Sequence, residues 1–214
     1  MADEAEEEVV FTTSAGPVRV ITAASLFDGH DAAINVMRRL IQSSGAEVIH
    51  LGHDQSAKAV VDCAIQEDAH AVALTSYQGG HVEYFTYIRE LLDEAGCEHV
   101  RIFGGGGGTI TPPEIRTLHQ SGISKIYSPD DGRTMGLMGM IHDLMEKASE
   151  VDLISKERLA TLNGPVTAED MAKVGLLLTL SESADEATLK GYLETCRSST
   201  REAVSYTHLT LPTN

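Results

Sequence analysis

The sequence predicts a doubly wound α/β fold, in which helices cover both faces of a five-stranded parallel sheet. Three observations support this prediction. Between residues 17 and 148, short apolar runs alternate regularly with longer amphipathic segments, as expected for buried parallel strands joined by helices. Glycines directly follow several of the helical segments. Polar and glycine-rich loops follow the apolar runs, at the edge where open α/β sheets bind their ligands.

Apolar runs bounded by turn residues predict the strands. They are residues 17–24, 46–51, 70–76, 99–104 and 124–128. Strands joined by helical crossovers are parallel, and the crossovers are right-handed. We favour the flavodoxin-like (Rossmann-like) strand order 2-1-3-4-5, whose ligand crevice lies between the carboxyl ends of strands one and three. The sequence alone does not separate this order from related doubly wound orders.

Segments with one apolar face predict the helices that join these strands. They are residues 31–44, 55–68, 81–95, 112–121 and 132–148. Gly45, Gly96 and Gly122 follow the first, third and fourth helices, and glycine readily adopts the left-handed conformation that ends a helix. Pro112 and Pro113 open the fourth helix, where a missing N–H group costs little.

Composition divides the chain into four parts. Residues 1–16 begin with an acidic run and are expected to be a disordered, solvated leader. Residues 17–148 form the α/β domain, and residues 149–203 are expected to be a helical linker or the start of a further module. Residues 204–214 resemble a translated sequencing adapter, which predicts a non-native tail and a truncated chain. Helices of the extension are predicted at residues 155–162, 167–180 and 184–197.

Charge and cysteine usage exclude several classes of partner. The 214-residue chain has a formal net charge of −16, which disfavours a nucleic-acid partner and an anionic membrane surface. The sequence contains no run of eighteen apolar residues, so no membrane span is predicted. The three cysteines are odd in number and lack a C-x-x-C spacing, as expected for reduced thiols. With no evident signal peptide, we expect a cytoplasmic protein.

Loops at the predicted carboxyl edge of the sheet carry the candidate site. Asp28-Gly29-His30-Asp31 follows the first strand, and an acid two residues before a histidine can fix its tautomer as in metal-ligating imidazoles. The loop after the third strand contains Ser76, Gln78 and Gly79. Five glycines, Gly104 to Gly108, follow the fourth strand, and Ser128 opens the loop after the fifth. Taken singly, His30 could be a solvated histidine, Ser76 a helix cap and the glycines a flexible turn.

Other site chemistries fit these residues less well. No lysine follows the glycines, as a P-loop requires, and DGHDAA stands where a dinucleotide fingerprint would lie. His53 and His81 form no pair with metal-ligand spacing, which disfavours zinc. Ser76, His30 and Asp28 could be drawn as a triad, but no G-x-S-x-G elbow surrounds Ser76, which disfavours a hydrolase.

The order Asp28-x-His30, then Ser76, then a glycine run resembles the signature of cobalamin-binding domains, Asp-x-His-x-x-Gly, Ser-x-Leu and Gly-Gly. Within residues 17–148, LFDGHDAAINVMRRLIQ, TSYQGGHVEY, IFGGGGG and IYSPDDGR are similar to the cobalamin domain of the acyl-CoA mutase family, in particular its fused isobutyryl-CoA mutase branch. The chain departs from the pattern at Ala33, where the first motif ends in glycine, and at Gln78, where the second ends in leucine.

The resemblance implies that cobalamin binds with its dimethylbenzimidazole displaced from cobalt. His30 would be the cobalt axial ligand, Asp28 would orient it, and Ser76 would hydrogen-bond the displaced base. Gly105 and Gly106, with the neighbouring glycines after the fourth strand, would leave room for the nucleotide tail. The full set of cofactor-binding residues implied is Asp28, Gly29, His30, Asp31, Ser76, Gln78, Gly79, Gly105, Gly106, Gly107 and Ser128.

The resemblance also implies a module of an adenosylcobalamin-dependent acyl-CoA mutase (isobutyryl-CoA/methylmalonyl-CoA mutase type), an isomerase that catalyses a radical 1,2-rearrangement. The acyl-CoA would bind a mutase domain outside this chain, a G-protein chaperone module would lie in the same full-length protein, and that protein would be a homo-oligomer. This fragment alone would contain no catalytic residues and be inactive.

Two alternatives are weaker. A corrinoid carrier domain of a methyltransferase system is disfavoured because the residues before position 17 are too few for a helical cap. A receiver domain of the same fold would need a phosphorylatable aspartate at the end of the third strand, where Thr75 and Ser76 stand.

Overall fold

A central sheet of five parallel strands organises the structure, a computed structural model that describes residues 11–197. Its order is β4-β3-β5-β6-β7, so the predicted flavodoxin-like order 2-1-3-4-5 is confirmed. Every neighbouring pair in this sheet is parallel. The strands are β3 (Arg19–Ser25), β4 (Glu47–Gln55), β5 (Ala71–Thr75), β6 (Arg101–Gly105) and β7 (Lys125–Tyr127). The edge strand β4 continues beyond its predicted end at residue 51. Its last residues are polar, so they did not match the apolar pattern that predicts a strand.

Helices connect these strands as predicted. They are α1 (Asp31–Ser43), α2 (Ala57–Gln66), α3 (His81–Glu94), α4 (Pro112–Gln120) and α5 (Pro129–Ser149), and a 3-10 turn, Gly107–Thr109, follows β6. Gly45, Gly96 and Gly122 have φ values of 88°, 70° and 87°, which confirms them as helix-terminating glycines.

The start of α5 differs from the prediction of residue 132. Ser128 accepts a hydrogen bond from the Asp131 backbone N–H, and the Asp131 carboxylate accepts one from the Ser128 N–H. This reciprocal cap starts the helix at Pro129. The helix is then interrupted at Gly136, whose φ of 68° and ψ of 177° are not helical.

A short hairpin precedes the sheet, formed by β1 (Thr12–Thr13) and β2 (Gly16–Pro17). The expectation of a disordered leader is therefore wrong for residues 11–16, while residues 1–10 lie outside the described part of the chain. The hairpin is fixed partly by Thr13, whose hydroxyl lies 3.2 Å from His70 Nε2. The residues of the hairpin are mostly polar, so the sequence did not indicate that they would pack against His70.

Two apolar layers cover the sheet, one on each face. Because side chains alternate along a strand, Ile21 and Val72 point to the layer of α2, α3 and α4, while Val20 and Ala73 point to α1 and α5. All seven residues of β3 are buried. The two faces of β3 are therefore both core, as expected for a central parallel strand.

The helical extension packs at the amino edge of the sheet. Its helices are α6 (Lys156–Leu159), α7 (Met171–Ser183) and α8 (Glu186–Cys196). Asp170, rather than Thr167, precedes the first turn of α7, and its carboxylate accepts a hydrogen bond from the Thr167 N–H. The tail predicted at residues 204–214 lies outside the described residues. No helix within residues 11–197 is long and apolar enough to span a bilayer.

A buried polar network joins this extension to the sheet. Asp68 accepts hydrogen bonds from the Arg158 guanidinium at 2.5 Å and from the Thr179 hydroxyl at 2.7 Å. Arg19, the first residue of β3, donates to the Thr179 hydroxyl at 2.6 Å. Because buried charged groups are costly without partners, this network ties α6 and α7 to the starts of β3 and β5.

At the opposite edge, two glycines have no room for a side chain: Gly104 in β6 lies against α3, and Gly106 lies against the loop after β5. A Cβ on Gly104 would lie 2.4 Å from the Phe85 ring, and one on Gly106 would lie 1.9 Å from the Ser76 carbonyl oxygen. The Ser76 N–H donates to the Gly105 carbonyl at 2.8 Å. Part of the glycine run is therefore required for packing, whatever it binds.

Gly106→Ala should lower the free energy of unfolding by about 2–3 kcal/mol, because backbone must move to admit the methyl group. Gly108→Ala is the matched control, since a Cβ there meets no atom within 4 Å and should change stability by less than about 0.5 kcal/mol. Denaturant unfolding of both variants measures this. Equal stabilities would contradict the close approach.

The buried His70 gives the amino edge a pH-dependent contact. Its Nδ1 accepts the Arg19 backbone N–H at 3.0 Å, and its Nε2 faces the Thr13 hydroxyl. Only the neutral ring fits, because a proton on Nδ1 would oppose the Arg19 N–H. Burial, aided by the charge of Arg19, lowers the pKa of His70 to about 4.

This lowered pKa predicts acid sensitivity. The unfolded chain binds the His70 proton more tightly, so the stability is complete above about pH 6.5 and is lost as the pH falls toward about 4, by roughly 3 kcal/mol. His70→Gln removes the titration. We expect the difference in unfolding free energy between wild type and variant to shrink by that amount from pH 7 to pH 4; a constant difference would refute the prediction.

Candidate functional site

Asp28 joins the loop after β3 to the loop after β5. Its fully buried carboxylate accepts three hydrogen bonds: Oδ1 from the His30 backbone N–H at 2.9 Å and from His30 Nδ1 at 2.7 Å, and Oδ2 from the Tyr77 N–H at 2.5 Å. Burial alone would raise the pKa of Asp28, but the Tyr77 and His30 bonds outweigh it and hold the pKa below its usual value. The carboxylate is thus kept ionised.

The bond from Asp28 fixes which nitrogen of His30 is free. An ionised carboxylate only accepts hydrogen bonds, so Nδ1 carries the proton and the neutral ring presents an Nε2 lone pair. The His30 side chain is 63% exposed, and its ring centroid lies 5.5 Å from that of Tyr77. Histidines that bind metals are commonly oriented in this way, by a carboxylate bound to the other ring nitrogen. Within residues 11–197, no group of three or more His, Cys, Asp or Glu side chains is arranged to hold a metal ion.

A cavity of about 410 Å³ opens beside this pair. It lies between α1 and α5, against the carboxyl ends of β5, β6 and β7. Its lining is almost wholly apolar, as is typical of pockets for organic ligands. The lining residues are Ala33, Ile34, Val36, Met37, Ile41, Ala73, Leu74, Thr75, Tyr77, Phe103, Gly104, Gly105, Gly106, Gly107, Tyr127, Leu137, Met140 and Leu144. Tyr77 connects the cavity to His30.

Thr75 supplies an unpaired polar atom in this wall. The residue is 7% exposed, and its Oγ1 has no hydrogen-bond partner in the described part of the chain. A buried hydroxyl without a partner is unfavourable, so a polar atom of a ligand would satisfy it. The resemblance to cobalamin-binding domains implied a hydrogen bond from Ser76 to the displaced base; Ser76 does not line the cavity, and its Oγ accepts a bond from the Ser25 hydroxyl at 2.8 Å. Strand alternation does not single out Thr75, because Ala73 and Leu74, on opposite faces of β5, both line the cavity.

The other predicted site residues fall into two groups. Gly105, Gly106 and Gly107 line the cavity. The rest lie outside its lining: Gly29 and Gly79 are exposed, Asp31 begins α1, the Gln78 carbonyl lies 3.2 Å from His81 Nδ1, and Ser128 caps α5. The structure thus brings Asp28 and His30 into contact, and Tyr77, which bonds to Asp28 and lines the cavity, connects this pair to the glycines.

Comparison with known proteins adds independent evidence. The family described as "B12 binding domain" matches residues 18–153. A fused isobutyryl-CoA mutase from Geobacillus kaustophilus (strain HTA426) is 50% identical over 175 residues, which cover 81% of this chain and 16% of that protein. A fused isobutyryl-CoA mutase from Cupriavidus metallidurans is 53% identical over 169 residues, covering 79% and 15%. The chain therefore spans about a sixth of the length of these relatives.

A solved structure supports the fold. A cobalamin-binding protein from Desulfitobacterium hafniense DCB-2 superimposes with a TM-score of 0.51 and 18% identity, covering 61% of this chain and 58% of that one. At this identity the likeness concerns the fold alone. Because the family match over residues 18–153 takes in every strand of the central sheet and the whole cavity wall, we conclude that the chain belongs to the family of B12-binding domains.

Proposed function

We propose that this chain binds cobalamin base-off, with His30 as the axial ligand of cobalt, as the cofactor module of an adenosylcobalamin-dependent acyl-CoA mutase. The observation that carries the proposal is the His30 imidazole, whose Nδ1 is bound by the buried Asp28 carboxylate at 2.7 Å and whose Nε2 is free for coordination. The relatives named isobutyryl-CoA mutases support an isomerase of the isobutyryl-CoA/methylmalonyl-CoA type.

The residues present fit the cofactor. The cavity of about 410 Å³ would hold the displaced base and its nucleotide tail, with Gly105, Gly106 and Gly107 forming a wall free of side chains. The unpaired Thr75 hydroxyl would donate to or accept from the base, a role we transfer from Ser76. Gly29, Asp31, Gln78, Gly79 and Ser128 would then support the loops from outside the cavity.

The chain's own residues would orient the cofactor and tune its ligand. Asp28 accepts a hydrogen bond from His30 Nδ1–H, which raises the basicity of Nε2 and fixes the ring plane. Bound adenosylcobalamin would supply the radical chemistry of the 1,2-rearrangement. Acyl-CoA binding, the G-protein chaperone module, homo-oligomeric assembly and the cytoplasmic location belong to the full-length protein and stay predictions. A corrinoid carrier would use the same site, but the names of the relatives favour the isomerase.

The absorption spectrum of cobalamin tests the axial ligand. Titrating the 214-residue chain with cobalamin should give a saturable base-off, histidine-on spectrum, and His30→Ala should abolish the histidine-on form. His142→Ala is the matched control, since His142 is an exposed histidine outside the cavity lining. Folded wild-type protein that gives no spectral change would reject cobalamin binding.

A pair of hydroxyl deletions distinguishes Thr75 from Ser76. Thr75→Val keeps the side-chain shape and removes an unpaired hydroxyl, so it should weaken cobalamin binding about tenfold without destabilising the free protein. Ser76→Ala should leave the affinity within about twofold and lower stability by about 1 kcal/mol, because it removes the Ser25 bond. Binding isotherms and denaturant unfolding measure both; the reverse pattern would restore the role to Ser76.

A further inference from the structure

Two neighbouring loops at the site hold residues in an unusual backbone conformation. Among residues 11–197, three residues other than glycine have positive φ: Phe27 at 63°, Asp54 at 56° and Asp68 at 46°. Aspartate adopts this left-handed region with some ease, but a bulky aromatic residue rarely does. Strained residues of this kind concentrate at functional sites, which directs attention to Phe27.

Asp54 holds Phe27 in this conformation. The Asp54 Oδ1 atom accepts the Phe27 backbone N–H at 2.7 Å, and the Asp54 N–H donates to the Asp28 carbonyl at 3.3 Å. The pairing of β3 with β4 shifts register twice just before this point. Such bulges commonly re-aim residues next to active sites, and here they bring Asp54 beside the Asp28 loop.

Packing within the described residues does not explain the strained Phe27. Phe27 is 80% exposed to solvent, and the preceding residue, Leu26, is 39% exposed. Packing therefore does not require the strained conformation of this aromatic residue, and strain of that kind points to a binding role. The residue immediately precedes Asp28 and lies three positions before His30, so its Cα is within about 10 Å of the His30 Cα.

We propose that Phe27 contacts the corrin ring of cobalamin and that Asp54 positions it for this contact. The inference rests on the proposed function. A macrocycle held at its centre by His30 would cover the neighbouring backbone, and Phe27 is the exposed aromatic residue of that loop. Asp28 fixes His30 and accepts the Asp54 N–H through its own carbonyl, so one loop orients both the axial ligand and the aromatic contact.

Phe27→Gly separates a contact from mere strain. Glycine adopts positive φ without steric cost, so the cofactor-free variant should unfold at a higher denaturant concentration than wild type. Its dissociation constant for cobalamin should rise about tenfold, because the aromatic surface is lost. Phe27→Tyr keeps the ring and should bind within about twofold of wild type. All of these measurements use the 214-residue chain, so that the affinities of the variants for cobalamin can be compared directly.

The role of Asp54 is tested through Phe27. Asp54→Asn retains an acceptor oxygen and the tolerance of positive φ, so it should bind cobalamin as wild type does. Asp54→Ala loses both properties and should weaken binding by about the same factor as Phe27→Gly. The double variant Phe27→Gly/Asp54→Ala should bind no more weakly than Phe27→Gly alone, since Asp54 acts through Phe27.

The outcomes separate this inference from the proposed function. If wild type gives no histidine-on spectrum, the proposed function fails and the inference fails with it. If wild type binds, with a spectrum that His30→Ala abolishes, and Phe27→Gly binds equally well, only the inference is overturned. A more stable Phe27→Gly variant with weaker cobalamin binding supports it.

Discussion

The Asp28 carboxylate is the interaction on which the rest of the site depends. It is fully buried, yet three donors satisfy it, two from His30 and one from Tyr77. Because the donors come from different loops, one ionised group sets the tautomer of His30 and the distance between the ends of β3 and β5. Removing the charge would leave buried N–H groups without an acceptor, so ligand orientation and loop geometry are a single property of the molecule.

Much of the fold follows from local sequence, whereas parts of the site do not. The strand order and the glycines at helix ends were predicted because periodicity and positive φ leave clear patterns at Gly45, Gly96 and Gly122. Asp28 and His30 were also predicted, because their contact spans two residues. The unpaired Thr75 hydroxyl was not predicted, since whether Thr75 or Ser76 faces the cavity depends on the packing against each face of β5. The positive φ of Phe27 was not predicted, because the Phe27 N–H is bound by Asp54, which lies 27 residues away in the sequence.

The buried polar network and the candidate site lie at opposite edges of the sheet. The buried network of Arg19, Asp68 and Thr179 and the neutral His70 lie at the amino edge. The imidazole, the cavity and the unpaired Thr75 hydroxyl lie at the carboxyl edge. The strained Phe27 and the unpaired Thr75 hydroxyl thus lie at the opposite end of the strands from this buried network.

The attachment of α7 to the starts of β3 and β5 links the helical extension to the candidate site. Arg19 begins β3 and Asp68 precedes β5, and the other ends of these two strands lead to His30 and Thr75. Two hydrogen-bonded strands of five to seven residues are stiff rods of about 20 Å. A movement of the helical extension would therefore displace these two strands along their length. The displacement would change the position of the His30 imidazole.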